Sequence, residues 1–155
     1  MTAGLGYDRE WEKQRGETYE HELRAHLRLL GCNVEPFGCG RWHGTALIAD
    51  LHRLRHPILK MPDLIATRGD AVWLIDAKWP HGTRALIPLA GLRVALFYRA
   101  VYGVPVVYVF RGMGAVDSRT CESASVDGEP TGWGSGDPYV VVDPAVLRPV
   151  PEVFA

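Results

Sequence analysis

Residues 62–78 constrain this chain more than any other stretch. They read Pro-Asp-Leu-Ile-Ala-Thr-Arg-Gly-Asp-Ala-Val-Trp-Leu-Ile-Asp-Ala-Lys, with short apolar runs at 64–67 and 71–75 on either side of Arg68-Gly69-Asp70. Apolar β-formers flanking a Gly-containing turn read as a hairpin. Side chains alternate faces along a strand, so Asp76 and Lys78 share one face and Ala77 takes the other. When the two runs pair, Asp63 at the start of one strand comes beside Asp76 at the end of its neighbour. Two carboxylates and an ammonium then meet at one end of a sheet.

A chain of 155 residues suits one domain, 1–155, with a real core; chains of this length bury roughly 70% of their unfolded surface. Hydrophobic residues make up 47% and charged residues 23%, ordinary proportions for a soluble globular protein. No run reaches the ~18 apolar residues of a membrane span, and the first fifteen residues are charged rather than signal-like, so no membrane association is expected. Three cysteines, Cys32, Cys39 and Cys121, form no disulfide framework and point to a reducing cytoplasm.

The net charge of -1 conceals a segregation. Residues 1–22 carry -3, residues 23–111 carry +7 and residues 112–155 carry -5. Two of the five acids in the basic middle are Asp63 and Asp76. A basic surround for clustered carboxylates suits a polyanionic partner, because phosphates are gathered electrostatically before any specific contact. The alternative is that Arg and Lys merely solvate the surface.

Residues 9–30 read as a helix, with Tyr19, Leu23, Leu27 and Leu30 at helical spacing and Gly31 as its C-cap. Gly16 marks a second possible start, leaving 1–15 as an N-terminal arm. Glu20 lies on the same face as Leu23, where an acid needs a partner, while Glu17 and Glu22 face solvent. Residues 32–37 should form a strand, and 45–55 a helix capped by Thr45 and ended before Pro57. Around that helix sit Arg41, His43, His52, Arg53, Arg55, His56 and Lys60, with Asp50 the only acid. This basic patch is the sequence's candidate for contact with a phosphate backbone. Cys32, Cys39, His43 and Cys121 are residue types that bind zinc, but the gap between the first two is not a zinc-finger spacing, and the three cysteines read as buried thiols.

Residues 79–84 read as a loop beside the site, holding His81 and Arg84. Pro88 fits the first turn of a helix ending at Tyr102, apolar nearly all round and hence buried against the sheet or a partner chain. Residues 104–110 form a continuous apolar run, an interior strand. Strand, helix, strand implies a parallel crossover and an α/β sheet covered by helices. Residues 112–138, rich in Gly, Ser and acids, read as a long loop, followed by a short strand at 139–142 and a C-terminal tail.

Pro62-Asp63, twelve residues, then Asp76-Ala77-Lys78, with Glu20 on an upstream helix, resembles the PD-(D/E)XK nuclease signature. The segment from Gly16 to Gly31 is similar to the first helix of archaeal-type Holliday junction resolvases and related phage nucleases, and the resemblance extends to about Phe110. It departs from them in the inserted 45–60 segment and in having no Gln after Lys78 at the usual helix position. The resemblance implies a restriction-endonuclease-like α/β core with a central mixed sheet flanked by helices. It also implies a metal-dependent DNA endonuclease acting on branched DNA, working as a homodimer, of phage or mobile-element origin. Asp63, Asp76 and the Ala77 carbonyl would ligate Mg²⁺ or Mn²⁺, hard cations that prefer oxygen, with Glu20 completing the acidic cluster. Lys78 would orient or deprotonate the attacking water. His81 or Arg84 could touch the scissile phosphate. Two alternatives differ in class: a duplex-nicking, end-processing or restriction-type nuclease, and a nuclease fold retained only to bind DNA or protein.

Overall fold

The computed structural model describes residues 5–124, 126–127 and 138–155. The first helix, α1 (Leu5–Leu29), runs unbroken through Gly16, so residues 5–15 belong to it rather than to a separate arm. Tyr19, Leu23 and Leu27 are buried along one stripe. Gly31, at φ 87°, turns the chain out of the helix, and the Cys32 N–H returns to the Leu27 carbonyl at 3.0 Å.

Five strands form the main sheet: β1 (Asn33–Pro36), β2 (Leu64–Arg68), β3 (Ala71–Lys78), β5 (Val106–Phe110) and β6 (Gly114–Asp117), in the order β1-β2-β3-β5-β6. The hairpin forms as its sequence demands: β2 and β3 are antiparallel, Leu64 opposite Ile75 and Arg68 opposite Ala71, with Gly69 at φ 56° in the turn. All five residues of β5 are buried, and β5 runs parallel to β3 with Asp76 opposite Tyr108. The connection between them contains β4 (Ala85–Pro88) and α3 (Leu89–Tyr102).

β4 was not expected. It pairs with β8 (Tyr139–Val142), which also pairs with β7 (Val126–Asp127), in a small second sheet. Pro88 therefore closes a strand and caps α3 instead of opening the helix's first turn. Nor is 112–138 a single loop among its described residues. β6 extends the main sheet, a 3₁₀ turn spans Thr120–Ser123, and β7 joins the second sheet; 125 and 128–137 lie outside the described residues. The C-terminal residues also form structure: α4 (Val150–Phe154) buries Phe154 completely.

One face of the main sheet packs Ile75, Val107 and Val109 against α1 and Phe154. The other packs Leu74, Val106 and Tyr108 against Leu92 and Ala95 of α3 and against Val140 and Val142 of the second sheet. Contrary to the sequence expectation, α3 is not buried all round: Phe97, Val101 and Tyr102 are more than half exposed. The sequence-expected helix at 45–55 is α2 (Ala46–Arg53), where the Thr45 hydroxyl accepts the Ile48 N–H. Among the described residues no helix is long and apolar enough to cross a membrane.

Candidate active site

The hairpin register brings Asp63 to the end of the sheet. Its N–H donates to the Ile75 carbonyl at 2.9 Å, one position beyond the Leu64–Ile75 pair. Its carbonyl accepts from Phe37 N–H at 2.8 Å and Gly38 N–H at 3.1 Å. Its Oδ2 accepts the Ala77 N–H at 2.8 Å. Gly38 is required by this close approach, because a Cβ there would lie 2.9 Å from the Pro62 carbonyl oxygen. The residue before β2 is thus fixed by its main chain and by its carboxylate.

Asp76 is 8% exposed, and Lys78 Nζ sits 2.7 Å from its Oδ1. Two residues apart on β3, both occupy one face of the strand, as alternation requires. The Lys78 carbonyl accepts from Arg111 N–H, just past β5. In a strand the N–H and C=O of one residue point to the same side. The Ala77 carbonyl therefore emerges on the side where its N–H meets Asp63.

Glu20 arrives from α1. The Tyr19 hydroxyl donates to the Val109 carbonyl at 3.3 Å and docks this turn of α1 against the sheet. The Glu20 and Asp63 carboxyls lie close enough to hydrogen-bond when one of them holds a proton. Burial and the charges of Asp76 and Glu17 hold Glu20 above the ordinary carboxylate range. Burial, then Asp76 and Glu20, push Asp63 up to about 9, against the opposing pull of Lys78 and the Ala77 N–H. Burial would lower Lys78, but Asp76 and Asp63 outweigh it and the ammonium is held above its ordinary value. Three acids and one lysine share this corner, so negative charge exceeds positive and protons make up part of the difference.

The donors suit a hard divalent cation: carboxylate oxygens, a strand-end carbonyl and no sulfur. Among the described residues no three His, Cys, Asp or Glu side chains are gathered tightly enough to encircle an ion by themselves. Two carboxylates and a carbonyl, with water and substrate oxygens, are nonetheless the complement Mg²⁺ takes in phosphate chemistry.

The residues of the basic patch are exposed. Arg41 lies in a 3₁₀ turn, Cys39–Trp42, directly after Gly38; its guanidinium donates to the Phe37 carbonyl and lies 5.3 Å from the Trp42 ring centroid. His43 ends that turn. Arg53 pairs with Asp50 at 3.4 Å, Arg55 takes φ 49° just past α2, and Lys60 ends a further 3₁₀ turn, Pro57–Lys60. His81 and Arg84 close a tight turn by exchanging backbone hydrogen bonds at 2.9 and 3.0 Å. Cys32 and Cys121 are buried, Cys39 is half-buried, and all three are free thiols.

Two further groups had no signal in the sequence. Tyr139, brought in by the second sheet, lies close enough to Lys78 to act on it electrostatically and meets the His81 ring edge-on at 6.4 Å. Trp79, on the α1 side of the site, has two guanidiniums over its ring, from Arg15 and Arg111.

Among solved structures the chain is similar to Hjc, a Holliday junction resolvase from the archaeal hyperthermophile Archaeoglobus fulgidus. The TM-score is 0.56, over 90% of this chain and 95% of that one, at 12% sequence identity. This chain has the restriction-endonuclease-like fold. No family model and no curated protein matches the sequence. At that identity the likeness between the resolvase and this chain is one of fold, and the side chains at the sheet end carry the argument about chemistry.

Proposed function

We propose that this chain is a metal-dependent DNA endonuclease that hydrolyses phosphodiester bonds in four-way or other branched DNA. The observation that carries the reading is the meeting of Glu20, Asp63, Asp76 and Lys78 at one sheet end of a resolvase-like fold. A module that only binds has no use for three mutually repelling acids in one partly buried corner.

In this reading Asp63, Asp76 and the Ala77 carbonyl hold Mg²⁺ or Mn²⁺, with Glu20 alongside. The bound ion supplies Lewis acidity toward the phosphodiester and makes water a better nucleophile at neutral pH. Lys78, kept protonated by its acidic neighbours, works as a cation: it orients water and meets the charge that develops on the phosphoryl oxygens. Asp63 holds its place through the Ala77 N–H, and this rigidity favours an in-line approach. Arg41, His43, Arg53, Arg55, Lys60, His81 and Arg84 gather the duplex arms electrostatically.

The exposed apolar residues of α3 support a homodimer. Phe97 and Tyr102 border an apolar groove with Ile58 and Tyr98, a surface that a second copy of the chain would cover. Two sites in one particle also meet the need to cut two strands. The test is cleavage of labelled four-way, flapped, nicked, single-stranded and linear duplex DNA in Mg²⁺, Mn²⁺ or EDTA. Metal-dependent cutting that favours the branched substrates is the expected result. Equal cutting of linear duplex would reassign the substrate, and binding without cutting in any metal would overturn the enzyme.

A further inference from the structure

We infer that the apolar edge of α2, carried by Leu47 and Leu54, is a wedge that packs on unstacked bases at a DNA branch point, an inference that rests on the nuclease reading above. Residues 39–61 leave and rejoin the fold at Asp63: the Gly38 N–H donates to the Asp63 carbonyl at 3.1 Å, and Met61 leads back to Asp63 through Pro62. Where the two stems meet, Cys39 Sγ lies 3.4 Å from the Ile58 carbonyl oxygen and 3.4 Å from Met61 Sδ. Beyond that closure α2 packs mainly on the two 3₁₀ turns that flank it. Ile48 is the only buried residue of this helix. Leu47, Leu51 and Leu54 follow one edge at helical spacing. Leu51 is half-buried, whereas Leu47 and Leu54 are half or more exposed.

Covering an exposed leucine is favourable, and the surrounding charge says what covers these two. Residues 39–61 carry Arg41, Arg53, Arg55 and Lys60 against Asp50 alone, a setting that draws a phosphate-dense partner. Such a partner offers apolar surface only on the faces of its bases. In continuous duplex those faces are stacked, and a side chain must first part them. At a branch point the stacking is already interrupted, so the leucines enter without that cost. Leu47 and Leu54 stand seven residues apart, roughly 10 Å along the helix, a span of about three stacked bases. Neither leucine lines the α3 groove given to the second copy. α2 thus sets the preference for branched DNA, and the acidic corner at its base does the cutting.

The test places 2-aminopurine, which brightens when unstacked, at the branch point of a four-way junction and in a matched linear duplex. Both DNAs are titrated in Ca²⁺ across a salt series with the full-length protein, with the double variant Leu47→Ser/Leu54→Ser and with Leu47→Met/Leu54→Met. Wild type should brighten the branch-point base and leave the duplex base unchanged, a readout that needs no variant. The Ser variant should bind the junction about ten-fold more weakly, without brightening, while its duplex affinity and salt slope stay at the wild-type values. The Met variant, which keeps the apolar edge, should restore both. Wild type that binds the junction without brightening it, or a Ser variant that matches wild type, would overturn the wedge alone. Equal weakening on both DNAs with a reduced salt slope would overturn it in favour of phosphate contact. A Ser variant that sediments as a monomer beside a dimeric wild type would overturn it by assigning the leucines to a second copy. Wild type that binds no DNA would remove the nuclease reading and the wedge together.

Discussion

Asp63 is pushed up to about 9 by burial, Asp76 and Glu20, so at pH 7 the folded chain holds a proton that the unfolded chain releases. The unfolded carboxyl has its ordinary value of 3.8, and carrying the proton from there to pH 7 costs at most about 4 kcal/mol. Glu20 is coupled to the same proton, so Asp63 bears only part of that cost, on the order of 2 kcal/mol. Asp63→Asn removes it. The Asn carbonyl still accepts the Ala77 N–H, and its amide can donate to Glu20. The variant should therefore be more stable than wild type without metal, by roughly 4–8 °C at pH 8, although it is expected to be inactive. The sign follows from a folded value above the unfolded one. The penalty is absent below about pH 4, grows as pH rises and levels off above about pH 9. Thermal melts of both proteins in EDTA from about pH 4 to pH 9 should diverge as pH rises. Adding Mg²⁺ should raise the wild-type midpoint alone, because only a bound ligand of the folded state stabilises it. An Asn variant that melts below wild type at pH 8, or a gap that does not change with pH, would refute the reasoning.

Three further outcomes follow from the same geometry. Lys78→Met removes the ammonium 2.7 Å from the nearly buried Asp76 and should destabilise the metal-free protein by about 3 kcal/mol in urea titrations. Gly38→Ala places a Cβ 2.9 Å from the Pro62 oxygen; it should cost about 1–3 kcal/mol and, by shifting Asp63, reduce cleavage more than DNA binding. Phe97→Asp on the exposed face of α3 should convert a dimer to monomer in sedimentation velocity and make the midpoint of thermal unfolding independent of protein concentration, whereas wild type that sediments as a monomer would remove the dimer.

How much of this was legible depended on the range of the interactions. The hairpin could be read because its turn and apolar runs are local, and pairing them fixes Asp63 beside Asp76. Glu20 was readable from its place on the stripe with Leu23, since helix periodicity is also local. β4 was not, because four residues ending in Pro88 carry little strand signal until β8 pairs with them. β6 was hidden for a similar reason: Gly114–Asp117 is short and starts with a glycine whose φ of 126° lets the chain pass close to Arg148. Tyr139 reaches Lys78 only through the second sheet. The Arg15–Trp79–Arg111 contact joins three distant parts of the chain that only the packed α1, β3 and β5 bring together.

Single-turnover cleavage of a labelled four-way junction, by wild type beside Asp76→Asn and Lys78→Met, tests the central claim most directly. Wild type should cut in Mg²⁺ or Mn²⁺ and stop in EDTA, and each folded variant should lose at least about 100-fold in rate while still binding the DNA. Cutting that survives EDTA, or that persists undiminished in both variants, would contradict a catalytic centre built on Asp63, Asp76 and Lys78.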